Sequence, residues 1–481
     1  MLLFSTTKKQ HTMRSSIVLF LASCLCATGA FAGTVKLHGK ITNPISDSIY
    51  VRYSESWVGY DPTIIGTRLD KEGRFSLSFP LKEKYTEVTI LHGEQGTELM
   101  PSPGDDLGLT VNAKDFDSTL HYDGKGADIA NFIAAHMIAR GFSYVFSSRV
   151  QGASALSPDS FETRSHESLK KETGFLAAHG AGLPESFRKF WMSYFQYALY
   201  EGGLNYATFH EVQKQHSYSI SKFEPEDYIP VRRVPAKFDD AMLNISSYRY
   251  YLTGYYYGQL TAAAWEKGEK PNVDDKEVLR MVLKNMPPGS AEVYEASTIY
   301  MHVKTDTIAV LHDRLAAFKK RYPHSEYLPL LTDKITHRDK IAAGSPALDF
   351  TINIVDGKTM KLSDLKGKVV FMDFWASWCG PCMGEMPYAK KIEERYKGKD
   401  VVFVYVSIDA DEAAWKKKMD ELQLAGLHMR DGAGGWSGPV ATLYGVPSYF
   451  LIDKNGRYAL DSAPRPSATD ELTAAIDRLL Q

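Results

Sequence analysis

The sequence predicts a multidomain protein with an N-terminal β-sandwich-like domain, an all-α middle domain and a C-terminal α/β domain. Three observations carry this. Residues 33–125 alternate apolar and polar positions in short runs bounded by turn residues. Residues 126–342 space apolar and aromatic residues three and four apart. Residues 343–481 alternate short apolar runs with amphipathic stretches around one Cys-X-X-Cys pair. A chain of 481 residues accommodates three such domains. The formal net charge of −2 offers nucleic acid no basic surface, so no nucleic-acid partner is expected. With 44% hydrophobic residues, 28 Tyr and 23 Phe, the chain can fill a core and is not expected to be disordered.

Residues 1–32 read as a signal peptide. Lys8, Lys9 and Arg14 precede an apolar run from Ile17 to Leu25, and Ala30-Phe31-Ala32 fits the cleavage pattern. Met13 is an alternative start. The apolar run is short for a membrane span. Cleavage after Ala32 predicts a periplasmic or cell-envelope protein. Leu21-Ala22-Ser23-Cys24 offers an alternative, a lipoprotein anchored through Cys24. Of the four cysteines, Cys24 and Cys26 fall in this segment. Only Cys379 and Cys382 remain in the mature chain.

In the β segment, Val35, Leu37, Gly39 and Ile41 alternate with polar residues, as do Phe75, Leu77 and Phe79 after the turn Asp70–Gly73. Tyr85–Leu91, Leu107–Val111 and Ser118–Tyr122 read as further strands, mutually antiparallel. Asp105 and Asp106 adjoin in a turn but lack the oxygen ligands of a calcium site.

The helical segment carries Ile129, Phe132, Ile133 and His136 on one face. Further stripes are Phe187, Phe190, Trp191, Tyr194 and Tyr197, then Tyr248, Leu252, Tyr255 and Tyr256, then Ile308, Leu311, Leu315 and Phe318. The aromatics read as packing, with a ligand groove as the alternative. His210 and His216, or His302 and His312, lack metal-ligand spacing, so no metal site is expected.

The C-terminal segment follows the linker Ala343–Pro346. A hairpin through Asp356-Gly357, a buried strand Val369–Phe374, a helix after Cys379, a strand Val401–Ile408 and an amphipathic run Asp411–Leu424 come in order. A glycine-rich loop Asp431–Gly438, a strand Ser448–Ile452 and a last helix burying Leu472, Ile476 and Leu479 complete it. Cys379 thus lies where a strand turns into a helix. Unpaired N–H groups and the helix dipole there favour the thiolate, the nucleophilic form. Cys382 lies one helical turn on and is the resolving thiol. Zinc sites share the spacing but need a second ligand pair, and none is evident. An incidental local disulfide is the bland alternative.

Trp375-Ala376-Ser377-Trp378-Cys379-Gly380-Pro381-Cys382 resembles the thioredoxin active site. The leading hairpin, Leu362–Lys368, the Asp411–Gly438 insertion and Val446-Pro447-Ser448 resemble the exported TlpA/ResA branch of that family. The resemblance covers about 344–481 and implies a thioredoxin fold. The three-part arrangement resembles multidomain proteins of Gram-negative gut and oral bacteria. The resemblance implies that Pro447 is a cis-proline beside the cysteines, leaving Val446 to pair with substrate backbone. It implies that Asp373 is a buried acid of raised pKa that shuttles the proton of Cys382, and that Glu385 lies near the thiols. Pro387 matches a helix-kinking proline. Substrate contact falls to Trp378, Gly380, Pro381, Val446 and Pro447, with Trp375 shaping the site. Tyr405 departs from the pattern, because cytoplasmic thioredoxins often place a lysine there.

The expected activity is thiol-disulfide exchange in the reducing direction, by Cys379 attack and Cys382 resolution. Gly380-Pro381 adds no charge, so the expected potential is on the order of −270 mV or somewhat less reducing. No cofactor is expected beyond the Cys379–Cys382 redox disulfide. Expected partners are disulfide-containing exported proteins, apocytochrome c among them, and a membrane thiol reductant as electron donor. Two alternatives stand: an envelope protein that binds substrate or peptide through its front domains, with a secondary redox domain, and a peroxiredoxin-like peroxidase. Ala376-Ser377-Trp378-Cys379 lacks the Pro-x-x-x-Thr-x-x-Cys setting of the latter.

Overall fold

Alternation along the first strands sends every second side chain inward. In β1 (Gly33–Thr42) Val35, Leu37 and Ile41 are buried, and in β4 (Arg74–Leu81) Phe75, Leu77, Phe79 and Leu81 are. A computed structural model of the chain describes residues 33–59, 62–140, 155–215, 224–353, 359–409, 411–430, 445–460 and 462–481. The leader with Cys24, Cys26 and Ala30–Ala32, the turn Asp356-Gly357 and the loop Asp431–Gly438 lie outside the described residues. These fall into two compact units, divided between Tyr300 and Met301. No helix among the described residues is long and apolar enough to cross a membrane.

The first unit begins with two four-stranded sheets. The remaining strands are β2 (Ser48–Tyr53), β3 (Thr63–Arg68), β5 (Val88–His92), β6 (Gln95–Leu99), β7 (Asp106–Asn112) and β8 (His121–Lys125). Their orders are β4-β1-β7-β8 and β3-β2-β5-β6. Val35, Leu37, Phe79 and Leu107 of one sheet join Ile49, Val51 and Ile90 of the other in one apolar cluster. Pairing is antiparallel except between β1 and β7, which run parallel. At that close pairing a Cβ on Gly39 would stand 1.8 Å from Leu109 O, so only glycine fits. The stretch 118–122 is not one strand. Residues 116–119 form a helical turn, held by Thr119 Oγ1 donating to Asp115 O at 2.5 Å, and β8 starts at His121. Local side-chain bonds outweigh strand propensity there.

Helices α1 (Ala127–Arg140), α2 (Pro158–His179), α3 (Glu185–Gln215), α4 (Ser246–Glu266), α5 (Asp275–Asn285) and α6 (Pro288–His302) follow. Ala127, Ala130 and Ala134 pack α1 into the strand cluster. Most tyrosines of α3 and α4 are buried, Tyr197, Tyr248 and Tyr251 among them, whereas Tyr250 and Tyr257 face solvent. Tyr197 and Tyr248 meet at 4.6 Å between ring centroids. Tyr251 Oη donates to Pro235 O at 2.6 Å, and Tyr248 Oη pairs with Ser290 Oγ at 2.8 Å. Their polar tips are therefore spent on the protein itself.

The second unit starts with α7 (Ile308–Arg321) and α8 (Leu328–Lys340). Then come β9 (Thr351–Asn353), β10 (Thr359–Lys361), β11 (Val369–Trp375), α9 (Gly380–Arg395), β12 (Val401–Ser407), α10 (Glu412–Leu422), β13 (Leu427–Arg430), β14 (Ser448–Ile452) and α11 (Thr469–Leu480). The main sheet has the order β13-β12-β11-β14, with β14 antiparallel to β11 and the others parallel. Every residue of β11 is buried, which explains its apolar run, interrupted by Asp373. Val369, Phe371 and Trp375 share one cluster with Met386, Ala389 and Ile392 of α9 and with Leu472 and Ile476 of α11. The strand that ends at the cysteines is thus the most enclosed one in this unit.

Candidate active site

Cys379 is the N-cap of α9, with Pro381 in the first turn, where a missing N–H costs nothing. Cys379 and Cys382 form a disulfide with a Cα–Cα distance of 5.2 Å. Cys382 N–H donates to Cys379 Sγ at 3.1 Å, so the first sulfur faces a helix-terminal donor. The two cysteines differ slightly in exposure. Cys379 is 4% exposed and Cys382 is 0% exposed. Trp378 (68% exposed), Gly380 and Pro381 stand at the surface around Cys379. Trp375 lies fully buried beneath. Val446 and Pro447 are half-buried, the bond between them is cis, and Val446 packs on the cluster that holds both cysteines.

Asp373 projects from the middle of β11 on the face toward α9, in phase with Phe371 and Trp375. It is fully buried, and neither carboxyl oxygen has a hydrogen-bond partner. Burial, and secondarily the charge of Glu385, holds its pKa well above the usual carboxylate value. Register places Tyr405 of β12 and Tyr449 of β14 directly opposite Asp373 on either side. Both phenols are buried without a hydrogen-bond partner, and burial raises both pKa values. Tyr405 stacks on His428 at 4.9 Å. So the acid is walled by neutral rings, and no described cation faces it through a hydrogen bond.

Glu385 is buried and tied down. Its carboxylate accepts from Ser467 N at 2.8 Å and Ser467 Oγ at 2.9 Å, and Arg465 Nη1 lies 3.9 Å away. It anchors the segment before α11 and lends negative charge to the surroundings of Asp373.

Residues 342–464 match the Redoxin family. The thiol-disulfide oxidoreductase ResA of Bacillus thuringiensis subsp. konkukian is 35% identical over 125 residues, 25% of this chain and 70% of that protein. ResA of Bacillus anthracis is 36% identical over 123 residues, 25% of this chain and 69% of that one. The chain belongs to the ResA family of thiol-disulfide oxidoreductases. Among solved structures, the thioredoxin domain of a thiol-disulfide oxidoreductase from Bacteroides vulgatus is 29% identical and covers 29% of this chain and 99% of that one, with a TM-score of 0.26. The protein is a multidomain thiol-disulfide oxidoreductase with a thioredoxin-like C-terminal domain.

Within this ResA-type domain, sequence reasoning missed Asp409, Ser377 and Tyr449. Asp409, 1% exposed, lies just past the end of β12. It accepts from Ser377 N at 2.8 Å, Ser377 Oγ at 2.7 Å and Ser407 Oγ at 2.7 Å. That pins the turn from Trp375 to Cys379 to the neighbouring strand. The available signal was a carboxylate closing a parallel strand, on the side where such sheets place their sites. Tyr449 had no local signal, because only β14 pairing brings it opposite Asp373.

Proposed function

We propose that this oxidoreductase is exported and reduces protein disulfides. The observation that carries the reading is the redox disulfide at the N-terminus of α9, with Cys379 as N-cap beside the exposed Trp378, Gly380 and Pro381 and Cys382 fully buried in the first turn: a substrate disulfide approaches from the side of Cys379.

In the reduced enzyme, Cys379 is the thiolate, favoured by the Cys382 N–H and the helix terminus. It attacks one sulfur of the substrate disulfide. A Cys379–substrate S–S bond forms, the substrate S–S bond breaks, and one substrate thiolate leaves. Cys382 then gives its proton to Asp373 and attacks Cys379 Sγ. The mixed disulfide breaks, Cys379–Cys382 forms, and the second substrate thiolate leaves and receives the Cys382 proton from Asp373, which returns to its starting state. Two electrons pass to the substrate. A raised pKa brings Asp373 nearer to that of a thiol, which suits it to accept this proton. Val446, Pro447 and Trp378 hold the extended substrate chain.

The signal-like pattern of residues 1–32 supports a periplasmic or cell-envelope location, with cleavage near Ala32 or an anchor at Cys24. Its substrates are disulfide-containing exported proteins, apocytochrome c among them, and a membrane thiol protein returns electrons. The redox disulfide is the only redox group required. The two sheets that share a core support reading 33–125 as a β-sandwich-like domain, ahead of a helical domain to 342 and the redox domain from 343.

Trapping tests this. Cys382→Ser, produced in envelope-containing cells, accumulates Cys379-linked mixed disulfides with exported proteins, and Cys379→Ser accumulates none. Equal capture by both variants overturns the assignment of Cys379 as nucleophile.

A further inference from the structure

Asp373 belongs to a row of buried polar groups without partners. Strand register sets His428 of β13, Tyr405 of β12, Asp373 of β11 and Tyr449 of β14 side by side across the sheet. Residues paired this way share a face. All four are buried, and both Asp373 oxygens, both phenol oxygens and His428 Nδ1 have no hydrogen-bond partner. The two tyrosines share one apolar cluster with Cys379, Cys382 and Trp375. Nearly all buried polar groups in folded proteins are paired, so adjacent orphans beside a reacting thiol call for a use.

The reaction supplies one. To accept the Cys382 proton, Asp373 must first be a carboxylate, and an unbonded carboxylate in a dry interior is far costlier than the neutral acid. The charges around it give little relief. Glu385 and Glu393 of α9 are acids, and Arg465 is turned to Glu385, at 3.9 Å. Leu424 O accepts from His428 Nε2 at 3.1 Å, and burial lowers the pKa of the ring, so Nδ1 bears a lone pair and no proton. On β11 and the two strands paired with it, the described donors without a partner are Trp375 Nε1, Tyr405 Oη and Tyr449 Oη. The indole N–H is fixed in its ring plane, whereas a phenol proton rotates about the C–O bond. Tyr405 packs toward β13: its ring stacks on His428, 14° from parallel, and Glu393 acts on its phenol more strongly than Asp373 does. Tyr449 packs against β11 itself, its ring 5.7 Å from that of Phe371, and Asp373 is the strongest charge acting on its phenol.

We propose that Tyr449 is a positioning residue for the resolving step: its hydroxyl turns onto the Asp373 carboxylate when that group is ionised and holds it ready for the Cys382 proton. This rests on the reading of Asp373 as proton acceptor. The Cys382 S–H bond breaks, the proton goes to Asp373, and Tyr449 keeps its own O–H throughout. While Asp373 is neutral the hydroxyl stays unbonded, as it stands beside the Cys379–Cys382 disulfide. A hydrogen bond to the charged form favours that form, so Tyr449 lets resolution proceed at a lower pH than burial alone would allow.

The test uses the full chain with Cys24→Ser and Cys26→Ser, so that Cys379 and Cys382 are its only thiols. The reduced protein is mixed with dithiobis(nitrobenzoate). Attack by Cys379 releases one coloured thiolate and resolution by Cys382 releases the second, so the two steps are read apart over a pH series. In Tyr449→Phe the first step keeps its rate, and the pH profile of the second moves up by about one unit, the scale of one hydrogen bond to a charge. Tyr405→Phe, which removes an equally buried hydroxyl, moves it by less. Tyr449→Phe strands no partner, so its urea unfolding at acid pH, where Asp373 is neutral, matches that of the unaltered chain and separates lost positioning from lost folding. An unmoved second step in Tyr449→Phe, where Asp373→Asn removes that profile, overturns the proposal and leaves the shuttle reading intact. A profile that Asp373→Asn leaves unchanged overturns both. Equal shifts in the two tyrosine variants overturn the assignment to Tyr449.

Discussion

Replacing Asp373 by Asn should stabilise the oxidised protein and slow its turnover. The carboxyl is fully buried, its oxygens have no hydrogen-bond partner, and burial followed by the charge of Glu385 raises its pKa well above 3.8. In the unfolded chain it titrates near the ordinary Asp value. Between those two pKa values the folded state holds a proton that the unfolded state has released. Stability therefore falls as pH rises through that window, by about 1.4 kcal/mol per pH unit for one proton. It is fully present below the unfolded pKa and levels off above the folded one. Asparagine is neutral throughout and similar in volume, so its curve lacks this slope. The oxidised forms of both proteins are unfolded in urea at a series of pH values. Near the ordinary Asp pKa their stabilities coincide, and with rising pH the Asn variant gains by about 1.4 kcal/mol per unit until the curve flattens. Parallel curves, or a gap that widens as pH falls, refute the reasoning. In single-turnover reduction the same variant forms the mixed disulfide at an unchanged rate and releases reduced substrate more slowly.

Glu385→Gln removes the charge that helps raise the Asp373 pKa, so the pH at which that stability curve flattens moves down; an unmoved plateau counts against the coupling. Asp409→Ala strands the Ser377 N–H and two hydroxyls, and urea unfolding should show a loss of about 2–4 kcal/mol together with slower substrate reduction. In the first unit, burial and then the charge of Glu87 raise Glu98 from 4.5 to about 7. Stability linked to Glu98 is present below the lower value and is lost as pH rises through the upper one, so Glu98→Gln raises the thermal midpoint at pH 8 and leaves it unchanged at pH 4.

The redox centre was legible in the sequence to the extent that it is local. Cys379 and Cys382 sit at a strand-to-helix junction, and both the apolar run of β11 and the helical spacing of Met386, Ala389 and Ile392 are written in consecutive residues. The strands Ser48–Tyr53, Thr63–Arg68 and Gln95–Leu99 were missed although two of them alternate in burial, because their sequences mix polar and apolar residues on both faces, with Ile64 turned outward and Thr67 inward. The parallel β1–β7 pairing had no local signature at all.

The amino-acid sequence by itself determined the dithiol, its place at a helix N-terminus and the α/β order of the domain that carries it, because thiol spacing, caps and hydrophobic period act over a few residues. Tertiary structure alone decided what surrounds those thiols. Tyr405 and Tyr449 reach Asp373 only through strand register, Ser467 reaches Glu385 across 82 positions, and Asp409 reaches Ser377 across 32. Burial and like charge shift a pKa only when distant segments are brought together, and no window of sequence contains that distance.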